Sequence, residues 1–433
     1  MKFIVFSFLQ LVSCQLFAQN YYFPPVSSSD WETMTLEEAG LCLTDEQALY
    51  DYLEDTNTDA FLLLKNGKIV IEKYFGNFTS VSPHVWNSAG KTLMAFTVGV
   101  AADLDSLDVN DRTIDYLGTG WTNCPETEDS IQIIHQLTMT SGLSDETDDP
   151  FCTAPECLIC LADPGTRWAY TNGPYTLLGE VIEAATNQDL NDFITERIKR
   201  PTGMTGQYRY FGDNRIFISN ARSMARFGLL MLNDGVWDGT PILQDVNYVQ
   251  SMTVPSQNLN KSYGYLWWLN GQATYRLPGF QQDFPGPIMP NAPAETYAAI
   301  GKNGQLINVV PSQGLVLIRM GATPGDGSLV SSNYNNNIWE KINDIGCTTS
   351  TSSLMTSDAL RAFPNPATTE VRLSSATGLS WVTFYDSSGR NLDRFRLSGT
   401  VADLNLEGFP KGVLHLRVVT QEGEIFWRRV VRR

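Results

Sequence analysis

The sequence predicts an α/β fold: an antiparallel sheet flanked by helices, a helical region, and a small all-β domain at the C-terminal end. Three features carry that prediction. Strand-like pairs lie at 59–75 and again at 297–321, far apart in the chain. Between them, helical candidates alternate with loops rich in Gly, Pro, Asn and Asp. After a small, polar stretch at 348–360, short β-rich runs recur at close intervals to the last residue.

Taken in order, the start MKFIVFSFLQLVSCQLFAQ joins one lysine to an apolar run and then to small residues, and reads as an export signal over 1–18. It is too short for a stable membrane span. Within it, Leu11-Val12-Ser13-Cys14 resembles a lipoprotein cleavage box, so lipidation at Cys14 is the alternative, with a membrane-anchored product. Residues 20–45 read as surface wrapping, and Glu46 to Leu53 as a helix. The run DAFLLLKNGKIVIEKYF, Asp59–Phe75, reads as two strands turned at Lys65-Asn66-Gly67, because Asn-Gly supplies the positive φ of a tight hairpin.

From Ser88 the pattern turns helical, with Leu93, Phe96, Val98 and Ala101 as an apolar surface. Further helices are expected at 136–140, 174–186, 190–199, 221–232 and 335–345. Tyr297–Gly321 reads as paired strands with Pro311-Ser312-Gln313-Gly314 as the turn. The terminal runs that begin at Glu370, Trp381, Arg394, Val413 and Glu424 suggest a β-sandwich.

Composition bounds the function. The chain of 433 residues is 42% hydrophobic and 18% charged, enough to bury a large core. Acidic residues outnumber basic ones 47 to 30, for a net charge of -17, so nucleic acid is not an expected partner. Residues 361–433 hold 11 basic and 7 acidic residues, a surplus of +4, which leaves -21 for the remainder. A change of sign across a linker marks a separate module.

Six cysteines follow the signal: Cys42, Cys124, Cys152, Cys157, Cys160 and Cys347. In an exported chain they favour disulfides. Their pairing is not legible, although Cys42 with Cys347 would tie the two ends of the main domain. Metal binding at Cys157-x-x-Cys160 is the rival, weakened by the lack of a nearby histidine. The oxygen-rich run DLDSLDVND lacks the glycine and terminal glutamate of a calcium loop.

The chemistry lies in three short elements. Ser88-Ala-Gly-Lys91 puts a hydroxyl and an amine three residues apart, on one helix face. A lysine kept neutral by burial can take the serine proton. Tyr170-Thr-Asn172 offers a phenol to relay a proton and an amide to hold the lysine or a substrate amide. Lys302-Asn-Gly304, at the opening of a strand, offers a cation for a substrate carboxylate and a glycine that leaves room along a strand edge. Each occurs often by chance, and a turn between strands is the plain reading of the last.

In their order and context these elements resemble those of the serine β-lactamase and penicillin-binding protein superfamily, closest to its class C-like branch of β-lactamase-related hydrolases. IHQLTMTSGL from Ile134, YGYLWWLNG from Tyr263 and the strand pairs resemble the same family, so the likeness covers about residues 40–345. It implies a hydrolase domain over 19–347. It also implies Ser88 as nucleophile, Lys91 as base with Tyr170 beside it, and Asn172, Lys302, Gly304 and Gln305 around the substrate. The oxyanion would be held by the N–H groups of Ser88 and of a residue near Gln305. No metal or organic cofactor is implied. Asn303 departs from the small hydroxyl residue of classical members, and no deacylating glutamate can be assigned. The implied activity is therefore hydrolysis of an ester or amide, in a small molecule or peptide, with both half-reactions at one site. β-Lactam hydrolysis, D-amino-acid peptidase activity and a non-catalytic binding role are the alternatives.

After the linker at 348–360, AFPNPATTEVRLSS from Ala362, KGVLHLRV from Lys411 and the basic end from Trp427 resemble the C-terminal sorting domain of the type IX secretion system. That likeness implies the secretion machinery as partner, an extracellular destination reached through the periplasm, and removal of 361–433. A small carbohydrate-binding or adhesive module is the alternative.

Overall fold

The computed structural model describes residues 21–41, 46–325, 330–344, 360–375, 377–386, 391–421 and 425–433. The export signal with Cys14, the positions of Cys42 and Cys347, and all but the last residue of the expected linker lie outside them. Two compact units divide the chain, one within residues 1–346 and the other within 347–433.

The core of the first unit is a six-stranded antiparallel sheet. Its strands run in the order Lys68–Tyr74, Thr58–Lys65, Leu315–Gly321, Gln305–Val310, Tyr297–Gly301 and Trp268–Leu269. The two distant strand-forming regions thus meet, as Thr58–Lys65 pairs with Leu315–Gly321. The expected hairpin closes on Asn66 and Gly67, with φ of 51° and 85°, the left-handed pair that matches strand twist. Gly314 ends the second turn at φ 60°.

Tyr297–Gly321 departs from the expected single pair. It forms three strands, because Lys302, Asn303 and Gly304 make a hairpin turn, the plain reading of that element, and the next strand opens at Gln305. Asn303 and Gly304 take φ of 65° and 70°, and Gly304 N–H donates to the Gly301 carbonyl at 3.1 Å. An Asn-Gly pair turns the chain here for the same reason as at 66–67.

Helices pack on both the sheet and one another. Gly90–Asp103 is buried along nearly its whole length, including Leu93, Met94, Phe96 and Val98. Ala221–Leu232 forms at its expected bounds, and the Asn220 side chain caps it by accepting from Ser223 N–H at 2.8 Å. The expected helix at 136–140 instead spans Ile133–Leu137. Gln132 and His135 form a capping box at its start, and Met139 at φ 58° cannot continue it. The expected helix at 174–186 divides into Asn172–Thr176 and Leu178–Thr186.

The second unit is all-β. One sheet orders Leu360–Phe363, Glu370–Ser375 and Val401–Asn405, and the other orders Asn391–Arg396, Leu379–Tyr385, Gly412–Thr420 and Ile425–Arg432. Leu373, Val382, Phe384, Leu414, Leu416, Val418 and Val430 are among its buried residues. The strands at 360–363 and 401–405 carry no long apolar run, which is why the sequence pattern missed them.

Among the described residues no helix is long and apolar enough to cross a membrane.

Candidate active site

Ser88 is placed by a strand that stops abruptly. His84–Val85 pairs with Ser219 and Ile218, and Trp86 is pinned by N–H donation to the Phe217 carbonyl at 2.8 Å and indole donation to Ser219 Oγ at 2.7 Å. Asn87 then takes φ 49°, and a 3₁₀ turn over Asn87–Ala89 runs straight into the helix Gly90–Asp103. A left-handed non-glycine residue is a local cost tolerated where the surroundings fix it. Ser88 remains half-buried at this junction, and Lys91 follows one turn later.

Lys91 is 3% exposed. Its Nζ donates to Asn172 Oδ1 at 2.9 Å and lies 3.8 Å from the centre of the Tyr175 ring and 5.4 Å from that of Tyr170. Burial pulls its pKa down from 10.5 to about 7, because an ammonium loses its hydration there. Burial drives the Tyr170 phenol pKa up, and the neighbouring Ser88 side chain opposes that rise. The lysine, not the tyrosine, is the group able to shed a proton near neutral pH.

Tyr170 and Asn172 arrive on a corner between the extended segment through Trp168 and the short helix Asn172–Thr176. Ala169 N–H donates to the Met139 carbonyl at 2.9 Å, and Gln136 Nε2 holds the Pro174 carbonyl at 2.6 Å. The Tyr170 ring stacks on Trp268, with centres 6.1 Å apart and planes 15° apart. Behind the corner, the Cys152 carbonyl packs on Gly173, where an added Cβ would come within 2.5 Å. Cys152–Cys157 and Cys124–Cys160 are disulfides. The thiols considered as metal ligands at 157 and 160 are therefore joined to other partners.

The third element comes to the site through its backbone. Lys302 is exposed, and its carbonyl accepts from Asn87 Nδ2 at 2.9 Å. Gly304 faces away from Ser88, since an added Cβ would meet Arg319 Nη1 at 2.9 Å and the Tyr334 ring. The glycine that borders the nucleophile is Gly301, where a Cβ would lie 2.4 Å from the Trp86 carbonyl and 2.9 Å from Ala89 N. Gln305 is fully buried. Its side chain bonds the Gly321 backbone, donating at 2.6 Å and accepting at 3.2 Å. It supports the sheet.

Sequence reasoning thus brought Ser88, Lys91, Tyr170 and Asn172 into one cluster, and missed Tyr175, Gly301, Asn87 and Trp268. Tyr175 had a usable signal: it lies one helical turn beyond Asn172, and so on the same face. Gly301 and Asn87 had none, because only the approach of two distant segments gives them a role.

Among the described residues no group of three or more His, Cys, Asp and Glu is placed to hold a metal ion. The aspartates of 103–115 serve the backbone and each other's turns: Asp103 accepts from Asp245 N–H at 3.0 Å, and Asp111 from Asp108 N–H at 2.7 Å.

A family model described as Beta-lactamase matches residues 47–335. Protein flp of Staphylococcus aureus is 28% identical over 167 residues, 34% of this chain and 33% of that protein. The chain thus spans about a third of the length of this curated relative. A candidate 6-aminohexanoate-dimer hydrolase from Bacillus anthracis superposes with a TM-score of 0.56 at 18% identity, covering 74% of this chain and 88% of that one. A candidate beta-lactamase from Bacteroides dorei gives 0.55 at 19% identity, covering 70% and 99%. At these identities the two structures speak for a shared fold.

Proposed function

The chain belongs to the beta-lactamase family, and from that premise we propose that it is a serine hydrolase that opens an ester or amide bond through an acyl-enzyme on Ser88. The observation that carries the reading is Lys91: a nearly dry amine with its pKa near 7, one turn from Ser88 and held by Asn172 Oδ1 at 2.9 Å.

As Ser88 Oγ attacks the carbonyl carbon, its proton passes to Lys91, directly or through Tyr170. The C–O bond to Ser88 forms and the carbonyl pair moves onto oxygen. When the tetrahedral species collapses, Tyr170 delivers a proton to the leaving group and takes back the one held on Lys91, and the Ser88 ester remains. Water, activated by the same pair, then attacks the ester and frees Ser88. One set of groups serves both halves, the class C-like scheme.

The oxyanion needs two N–H donors. Ser88 N–H, at the helix entry, is one. For the second, the geometry supports Lys302 over Gln305. The Lys302 carbonyl accepts from Asn87, so the Lys302 backbone lies against the Ser88 junction, whereas Gln305 pairs back onto Gly301. The exposed Lys302 amine is left for an anionic group of the substrate.

Further parts of the reading are that the enzyme is exported and that the terminal all-β unit is a type IX sorting domain. The disulfides Cys124–Cys160 and Cys152–Cys157 suit an oxidising compartment.

The test is a panel of an activated ester, a β-lactam, a linear 6-aminohexanoate amide and a D-amino-acid peptide, read by intact mass. An acyl adduct on Ser88, absent in folded Ser88→Ala, is the expected result. Turnover that persists in Ser88→Ala would reject the nucleophile, and no adduct with any probe would favour the binding-protein alternative.

A further inference from the structure

We infer that Arg319 is a positioning residue for this site: its buried guanidinium pegs the Lys302–Gly304 turn, and through that turn fixes the wall that Lys302 and Gly301 present to Ser88. The inference rests on the hydrolase reading above and adds to it a residue with no contact to the reacting atoms.

Arg319 lies on the strand Leu315–Gly321 and is 0% exposed. Burying a guanidinium is expensive unless every donor is satisfied. Here Nη1 donates to the carbonyls of Asn303 at 2.5 Å and Gly304 at 3.1 Å. Nη2 donates to those of Thr56 at 2.8 Å, Asn57 at 3.0 Å and Ala322 at 3.1 Å. Nε donates to Thr58 Oγ1 at 3.1 Å, and the Tyr334 ring lies 5.0 Å from Cζ. None of these acceptors is a carboxylate. The cation is held by backbone dipoles gathered from the remote segments at 56–57 and 303–304 and from Ala322 just beyond it.

A plain core packing role would be met by an apolar side chain at lower desolvation cost. What the arginine supplies is convergence, since a planar fork can fix several carbonyls at once where a lysine reaches fewer. Gly304 is the matching concession, as a side chain there would strike Nη1 at 2.9 Å. From the pegged turn the path to the nucleophile is one residue long: the Lys302 carbonyl bonds Asn87, and Asn87 precedes Ser88. Gln305 braces the turn from beneath by donating to the Asn303 carbonyl at 3.3 Å.

The experiment uses the full chain and the burst of product from an activated ester. Burst amplitude counts competent sites, and burst rate reports acylation within them. Two variants are compared with the parent: Arg319→Lys, and Asn87→Gly, which keeps the left-handed backbone and removes the donor to Lys302. The expected result is near-parental amplitude per folded molecule with acylation roughly 10–100-fold slower, as for an ångström-scale misplacement. The pH midpoint of acylation should stay at the parental value, because Lys91 is untouched. An unchanged burst rate in both variants, or a loss of amplitude with no change in rate, would overturn the inference by reducing Arg319 to a folding role. If Arg319→Lys does not fold, Asn87→Gly decides by the same criterion. A parent that gives neither burst nor adduct on Ser88 rejects the hydrolase reading instead.

Discussion

Lys91 Nζ meets Asn172 across 2.9 Å, and the acceptor is an amide oxygen. A carboxylate in that place would hold the ammonium charged. The amide dipole orients the amine but compensates burial only in part, so the pKa settles near 7.

Acylation should therefore rise with pH through a midpoint near 7 as Lys91 loses its proton. Lys91→Ala should slow acylation by about 10²–10⁴-fold, the usual worth of a positioned base. Stopped-flow bursts from pH 5 to 9 measure both. A parental rate in the variant would remove Lys91 from the mechanism.

Tyr175 should tune that midpoint. Its ring face lies 3.8 Å from Nζ and favours the protonated amine. Tyr175→Leu should lower the midpoint by about half a unit to one unit. Tyr175→Phe keeps the ring and should leave it in place. Equal midpoints in the Leu and Phe variants would show that the contact does not act on the base.

Lys91 should also be a cost to stability. A pKa depressed in the fold means that the unfolded chain binds more protons between about 7 and 10.5. For this group, stability rises with pH across that window, and the penalty is complete below it. Lys91→Met should be about 1–4 kcal/mol more stable than the parent at pH 7. Denaturant melts at pH 7 and 9 check this, with the gap narrowing at the higher pH.

The disulfides should matter at the catalytic corner. Intact mass of the natively exported protein before and after reduction should show at least two. Gly173→Ala would drive a Cβ against the Cys152 carbonyl at 2.5 Å. It should slow acylation and lower the melting temperature, and reduction should relieve part of the defect by freeing the Cys152–Cys157 loop. A Gly173→Ala protein with parental kinetics would show that the loop does not bear on Asn172.

The terminal unit should be dispensable for chemistry. In a host with type IX secretion, a chain ended at residue 350 should hydrolyse the ester normally yet stay in the periplasm, while the full chain is exported and trimmed. Normal extracellular export of the shortened chain would reject the sorting role.

What the sequence by itself determined was local. Asn66-Gly67 dictates a turn because few other pairs accept two positive φ values. Ser88 and Lys91 share a helix face because three residues is nearly one turn. The signs of charge on either side of 348–360 separate two modules without any coordinates. The same local logic holds at Lys302-Asn303-Gly304, where the plain reading of a turn between strands is the one the chain adopts. Tertiary structure alone decided the rest, because these are effects of approach. Lys91 acquires a pKa near 7 only when Tyr170, Asn172 and Tyr175 close over it and exclude water. Gly301 must lack a side chain only because Trp86 and Ala89 arrive from 212 or more residues earlier in the chain. Arg319 reads in sequence as an unexplained charge inside an apolar strand. It becomes intelligible only when carbonyls from 56–57, 303–304 and 322 converge on it, since the free energy of a buried cation is set by what surrounds it and not by its neighbours along the chain.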